Sequence, residues 1–200
     1  VCKDLGLKMV SGHINPPTFS DNWDAALEYM NAVDQKFAVW PWLPEDMRNA
    51  ETYKQVAETL NKAGEAAKKA GIQVCYHNHD FEFFDLGDGV TGMDILSSET
   101  DADLVKFELD LYWVTKSGND PIEQFKRFEG RVPLWHVKDM ANTPEQGFAE
   151  VGEGTIDYKS IFAAKDVSGM KHYFVEQDMS DDPFKSIETS YKNLKEKILA

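Results

Sequence analysis

Four histidines and two acidic residues stand where short apolar runs end. His77 and His79 follow Cys75-Tyr76, Asp110 follows Phe107-Glu108-Leu109, His136 follows Leu134-Trp135, and Glu176 follows Phe174-Val175, while His13 closes a run that starts at Lys8. If these runs are strands, the polar residues sit at C-terminal edges. Several carboxylates drawn together are costly to bury unless a cation or a proton relieves them, and a divalent metal is the natural relief. Imidazole mixed with carboxylate suits Mn²⁺, Zn²⁺, Co²⁺ or Fe²⁺ better than Ca²⁺, and no nearby cysteine pair suggests a closed structural zinc site. Each residue alone has a plainer reading. A histidine at a strand end is usually a hydrogen-bonded rim residue, and an Asp after a strand usually caps a helix or forms a turn. Asp110, His136 and Glu176 recur on three successive candidate strands, which favours a shared chemical task. His172 begins its strand at the opposite end and is read as structural.

The elements that must position these groups follow from hydrophobic period. Lys8–His13, Phe37–Trp40, Ile72–Tyr76, Leu104–Leu109, Val132–Val137 and His172–Val175 read as strands. Helices are expected from an Asp21 cap over Trp23–Val33, then over Thr52–Ala70, Met93–Ser98, Pro121–Phe128, Tyr158–Ala164 and Ser186–Leu199. Lys68-Lys69 in a last turn and Gly71 behind it mark the end of the longest helix. Six strand-then-helix units with no run of consecutive strands argue for parallel pairing through right-handed crossovers. A doubly wound open sheet and a (β/α)₈ barrel both satisfy this order. Neither G-x-G-x-x-G nor a phosphate-binding P-loop is present, and Gly152-Glu153-Gly154 is a lone, late G-x-G. Alternation along a barrel strand would place His77 with His79, Glu108 with Asp110, His136 with Lys138, and Glu176 with Asp178 on common faces.

Composition narrows the partners. The 200 residues are 42% hydrophobic and 28% charged, with a formal net charge of −14, so a nucleic-acid backbone would be repelled. No apolar run approaches the roughly 18 to 20 residues that span a bilayer, and membrane insertion is not expected. Cys2 and Cys75 are too few for a disulfide framework.

Five ordered blocks carry a family resemblance. Tyr76-His77-Asn78-His79-Asp80-Phe81-Glu82-Phe83, Phe107-Glu108-Leu109-Asp110-Leu111-Tyr112-Trp113, His136-Val137-Lys138-Asp139-Met140, Val151-Gly152-Glu153-Gly154 leading into Ile156-Asp157, and Phe174-Val175-Glu176-Gln177-Asp178 resemble the sugar phosphate isomerase/epimerase family. These are the xylose-isomerase-like TIM barrels. The resemblance runs from about Leu5 to the last helix and implies a metal held by Glu, Asp, His and Glu from successive strands. Asp110, His136 and Glu176 match the second to fourth ligands. The first position holds His77, so either His77 ligates or Glu82 reaches back from the following loop, the latter slightly preferred. His79 falls where relatives place a substrate-facing histidine, and His79 and Glu176 are the candidate acid–base groups. Lys138, Trp113 and His13 are expected to border the substrate, Trp113 being equally well explained by packing.

The implied activity is metal-dependent isomerisation or epimerisation of a sugar or keto-sugar, by proton abstraction beside a carbonyl through an enediolate. The alternative is a lyase or dehydratase acting on keto-glycosides or keto-inositols, and His77 in place of Glu weakens direct transfer of the epimerase assignment. A non-catalytic sugar-binding barrel remains as a different class, and the related apurinic endonucleases are disfavoured by the charge of −14. A complete barrel takes about 250 residues and eight units. Residues 1–200 are therefore expected to form one barrel domain of the (β/α)₈ type that lacks its first two βα units. Apolar sheet edges would then be exposed, compatible with a homo-oligomer, and both cytoplasmic and periplasmic locations stay open.

Overall fold

The computed structural model describes residues 3–200, so Val1 and Cys2 lie outside the described residues. The chain divides into two compact units, Val1–Phe107 and Glu108–Ala200. The first holds β1 (Ser11–His13), α1 (Thr18–Asp21), α2 (Trp23–Ala32), β2 (Phe37–Trp40), α3 (Ala50–Lys69), β3 (Gln73–His77) and α4 (Gly92–Glu99). β1, β2 and β3 pair in parallel, Gly12 opposite Ala38 and Ala38 opposite Val74. The long helix α3 begins at Asn49, whose side-chain oxygen accepts from the Thr52 N–H, and it buries Tyr53, Val56, Ala57, Leu60, Ala63 and Ala67 along one face. Gly71 follows it at φ +72°, where a Cβ would be strained. Asp21 does not cap α2. Residues after Pro16-Pro17 form the extra turn α1, which ends at Asp21 and leaves Asn22 before α2.

The boundary between the units falls inside β4 (Val105–Asp110). The second unit continues with α5 (Leu111–Lys116), α6 (Pro121–Arg127), β5 (Leu134–Val137), β6 (Asp139–Met140), β7 (Phe148–Ala149), α7 (Tyr158–Ala163), α8 (Lys165–Ser168), β8 (His172–Val175) and α9 (Pro183–Asn193). β4, β5 and β8 pair in parallel, with Asp110 opposite His136 and His136 opposite Phe174. Trp135, pointing away from His136 by strand alternation, stacks on Phe125 at 4.7 Å and meets Phe162 at 5.5 Å, which fixes β5 against its helices. β4 and β5 are almost wholly buried, whereas Tyr173 and Val175 of β8 are 37% and 41% exposed. With Ile187, Tyr191 and Leu199 they line an apolar groove.

The G-x-G turn serves the fold. The buried Asp139 carboxylate accepts from the N–H groups of Met140, Gly152, Gly154 and Ile156 at 2.8 to 3.2 Å. Those amides wrap a protein anion instead of a phosphate. A Cβ on Gly154 would overlap the Asp139 carboxylate and the Met140 carbonyl oxygen, whereas one on Gly147 would meet nothing within 4 Å. Gly154→Ala should therefore cost about 2 kcal/mol or more, and Gly147→Ala should be close to neutral. Urea unfolding of both variants checks this.

Candidate metal centre

Strand register brings the second unit's polar residues together. Asp110 closes β4 and begins α5: its Oδ1 accepts from the Trp113 N–H at 3.1 Å, while Oδ2 lies 3.0 Å from Lys138 Nζ. One Asp110 oxygen thus caps α5 and the other faces Lys138. His136, opposite Asp110 on β5, places Nδ1 2.7 Å from Glu176 Oε2 and 3.9 Å from Asp110 Oδ2, and Nε2 3.1 Å from Glu108 Oε1. One ligand atom each from Asp110, His136 and Glu176 lies within 4.8 Å of the others. Glu176 is carried there by β8, whose pairing continues as the Glu176 N–H donates to the Val137 carbonyl. Lys138, also buried, reaches Glu176 Oε2 at 2.9 Å and both Asp178 oxygens at 2.8 and 2.9 Å. Its backbone is clamped by Tyr158, whose hydroxyl accepts from the Lys138 N–H and donates to the Lys138 carbonyl.

The electrostatics are those of an anionic nest around two cations. Burial alone would lower the His136 pKa, but its bonds to Glu108 and Glu176 outweigh that and raise it to about 10. Burial would likewise lower that of Lys138, yet Asp110, Glu176 and Asp178 hold it above its ordinary value. Burial pushes Glu176 up, and His136 and Lys138 overcome this to hold it well below the usual carboxylate range. Glu108, Asp110, Glu176 and Asp178 outnumber His136 and Lys138, so carboxylates are in formal excess in the cluster.

This donor set fits a divalent ion. One imidazole nitrogen, His136 Nδ1, stands 2.7 Å from Glu176 Oε2 and 3.9 Å from Asp110 Oδ2, the mixed nitrogen and carboxylate donors that such ions take. Nε2 of His136 meets a carboxylate, the usual support for a ligating imidazole. Trp113, half-buried on α5, and Phe148 on β7 flank the cluster, their rings 5.8 and 5.5 Å from Lys138 Nζ. Glu108 and Asp178 were not among the site residues expected from the sequence. Their signal was the spacing of two from Asp110 and Glu176, which on a strand means a common face.

The remaining expected residues belong to the first unit. His77, buried at the end of β3, lies between His13 and His79, with ring centroids 4.9 and 5.2 Å away. His13 is exposed, and the His79 ring stacks on Phe81. Glu82 is completely buried, and its two oxygens accept from the Tyr76 hydroxyl and the His79 N–H, each at 2.7 Å. Both oxygens are thus engaged in pinning the Phe81–Phe83 turn to β3.

Burial pushes the Glu82 carboxyl up to about 7, despite the Tyr76 and His79 bonds that act to lower it. A raised value means that the folded state holds the proton more tightly than the unfolded chain, whose value is near 4.5. The resulting stability is fully present below pH 4.5 and is lost as pH rises through about 7. At stake is a contribution on the order of 3 kcal/mol. Glu82→Gln, which cannot ionise, should gain on the parent protein between pH 5 and pH 8. Urea unfolding of both proteins at the two pH values gives the double difference, and a value near zero would contradict the assignment.

Comparison with known proteins adds three observations. A family model described as xylose isomerase-like TIM barrel matches residues 12–197. An inosose dehydratase of Clostridium beijerinckii is 28% identical over 172 residues, covering 74% of this chain and 56% of the relative. The chain spans about half the length of the curated relatives it matches. A crystal structure of a sugar phosphate isomerase/epimerase from Parabacteroides distasonis is 29% identical, with a TM-score of 0.83 over 96% of this chain and 72% of that one. The fold is also shared with a structure of IOLI protein with a zinc atom, at 17% identity and a TM-score of 0.63, covering 87% of this chain and 67% of that one.

Proposed function

The chain belongs to the xylose isomerase-like TIM barrel family, and from that premise we propose a metal-dependent lyase acting on a polyhydroxylated cyclic ketone of the keto-inositol class. The observation that carries the metal is the convergence of Asp110, His136 and Glu176 within 4.8 Å. The inosose dehydratase relatives favour elimination over the isomerisation or epimerisation first expected. The 29% identical sugar phosphate isomerase/epimerase keeps that second reading in play. Both begin with loss of the proton beside the carbonyl. They differ in whether a β-hydroxyl then leaves as water, giving an enol that ketonises to a 1,2-dione, or a proton returns.

Asp110, His136 and Glu176 would hold the ion, and a zinc-containing structure of the same fold supports such a site. When bound, a divalent ion supplies a Lewis acid that polarises the carbonyl. Lys138 keeps its charge and offers an N–H donor to an oxygen that becomes negative. Glu176, held ionised by His136 and Lys138, is suited to ligation and poorly suited to donating a proton. His79 keeps an acid–base role on the family resemblance, and Glu82, engaged by Tyr76 and His79, is left out of the ligand set.

The test is incubation with keto-inositols, 3-keto-glycosides and ketoses in D₂O with Mn²⁺ or Co²⁺, followed by NMR. Loss of water, or of the aglycone from a keto-glycoside, with a new enol or a 1,2-dione deuterated at the former β-carbon, supports the lyase. Deuterium beside the carbonyl without loss of water supports the isomerase/epimerase. Neither outcome across the panel would point to a non-catalytic sugar-binding barrel.

A further inference from the structure

We infer that Glu108 is a positioning residue that selects which nitrogen of His136 faces a metal. This rests on the metal reading proposed above. Strand β4 delivers two carboxylates to one imidazole: Asp110, directly opposite His136, lies 3.9 Å from Nδ1, and Glu108, two residues earlier on the same face, lies 3.1 Å from Nε2. Glu176 adds a third carboxylate at Nδ1, 2.7 Å away. The ring is therefore gripped from both ends.

Glu108 has 1% of its side chain exposed, a costly place for a carboxylate that does nothing specific. As an acceptor at Nε2 it holds the proton on that nitrogen. The proton that a metal displaces is then the one on Nδ1, the nitrogen that faces Asp110 and Glu176. Removing Glu108 takes away the acceptor that β4 places at Nε2, and with it one anchor of the ring's orientation and of its tautomer preference. Outer partners of this kind typically change metal affinity by about 10 to 100-fold.

The probe is Zn²⁺, measured by calorimetric titration, with the ¹⁵N shifts of the His136 ring as a second readout independent of turnover. The parent protein is expected to bind zinc through Nδ1 with Nε2 protonated. Glu108→Ala should weaken zinc by about 10 to 100-fold and blur that ring signature. Glu108→Gln, whose amide oxygen still accepts from Nε2–H, should retain the signature and most of the affinity. Thermal unfolding of both variants without zinc separates misfolding from mispositioning, since the glutamine variant keeps the volume and the acceptor. Zinc bound through Nε2, or Glu108→Ala binding zinc as the parent does with an unchanged signature, would overturn the role of Glu108 alone. A parent protein that binds no zinc, Mn²⁺ or Co²⁺ would overturn the metal reading itself.

Discussion

Asp110→Asn should give a folded protein that no longer retains a divalent metal and has lost turnover by about 10³-fold or more, because a Lewis acid contributes several kcal/mol to such a barrier. The asparagine oxygen can still accept from the Trp113 N–H, so the cap on α5 survives. What is lost is the negative oxygen beside Lys138 and His136. Asp110→Ala removes the same ligand and the cap as well, adding about 1 kcal/mol of destabilisation. The pair of variants separates the two tasks of one side chain: equal loss of metal, unequal loss of stability. Metal analysis after dialysis, together with urea unfolding, reads both. Metal content unchanged in Asp110→Asn would refute the ligand assignment.

Asp110 has one oxygen on the helix cap and the other beside Lys138, so its place in the sequence admits both readings. A residue at the junction of a strand and a helix has two oxygens and two neighbours. The strands were legible because β2 is buried on both faces and appears as a continuous apolar run, while in β4 Val105, Phe107 and Leu109 alternate with charged residues. The helix α5 was not. Leu111-Tyr112-Trp113-Val114-Thr115 has the aromatic and β-branched content of a strand, and it turns helical because Asp110 caps it and its Leu111, Tyr112 and Val114 are buried. The β6–β7 hairpin is two residues on each side, below what periodicity can register.

Glu82 shows the opposite limit. The family resemblance offered Glu82 or His77 as a ligand; the bonds that the two Glu82 oxygens accept from the Tyr76 hydroxyl and the His79 N–H depend on the Phe81–Phe83 turn, which no one-dimensional pattern foretells. Glu108 and Asp178 were visible as face-sharing neighbours, and their tasks emerged only from the distances to His136 and Lys138.

Lys138→Met provides the sharpest opposition of effects. The ammonium sits among Asp110, Glu176 and Asp178 at 2.8 to 3.0 Å, with 1% of its side chain exposed. Removing one partner from a buried ionic cluster costs about 3 to 5 kcal/mol. The low end is expected here, since Glu176 and Asp178 keep 38% and 32% of their side chains open to water, which screens the charges left behind. Metal-free Lys138→Met should therefore unfold at distinctly lower urea concentration. The same change removes a positive charge that competes with a divalent ion for Asp110 and Glu176. Coulomb repulsion at contact range is worth several kcal/mol even at an effective dielectric near 20, so Mn²⁺ should bind about tenfold tighter or more. Metal should then restore more stability to the variant than to the parent. Turnover should nevertheless fall, because the N–H donor that Lys138 offers to a developing oxyanion is gone. Tighter metal with slower turnover identifies Lys138 as a group that serves the substrate at the expense of the ion. Weaker metal binding in Lys138→Met would show instead that the ammonium holds the ligands in place.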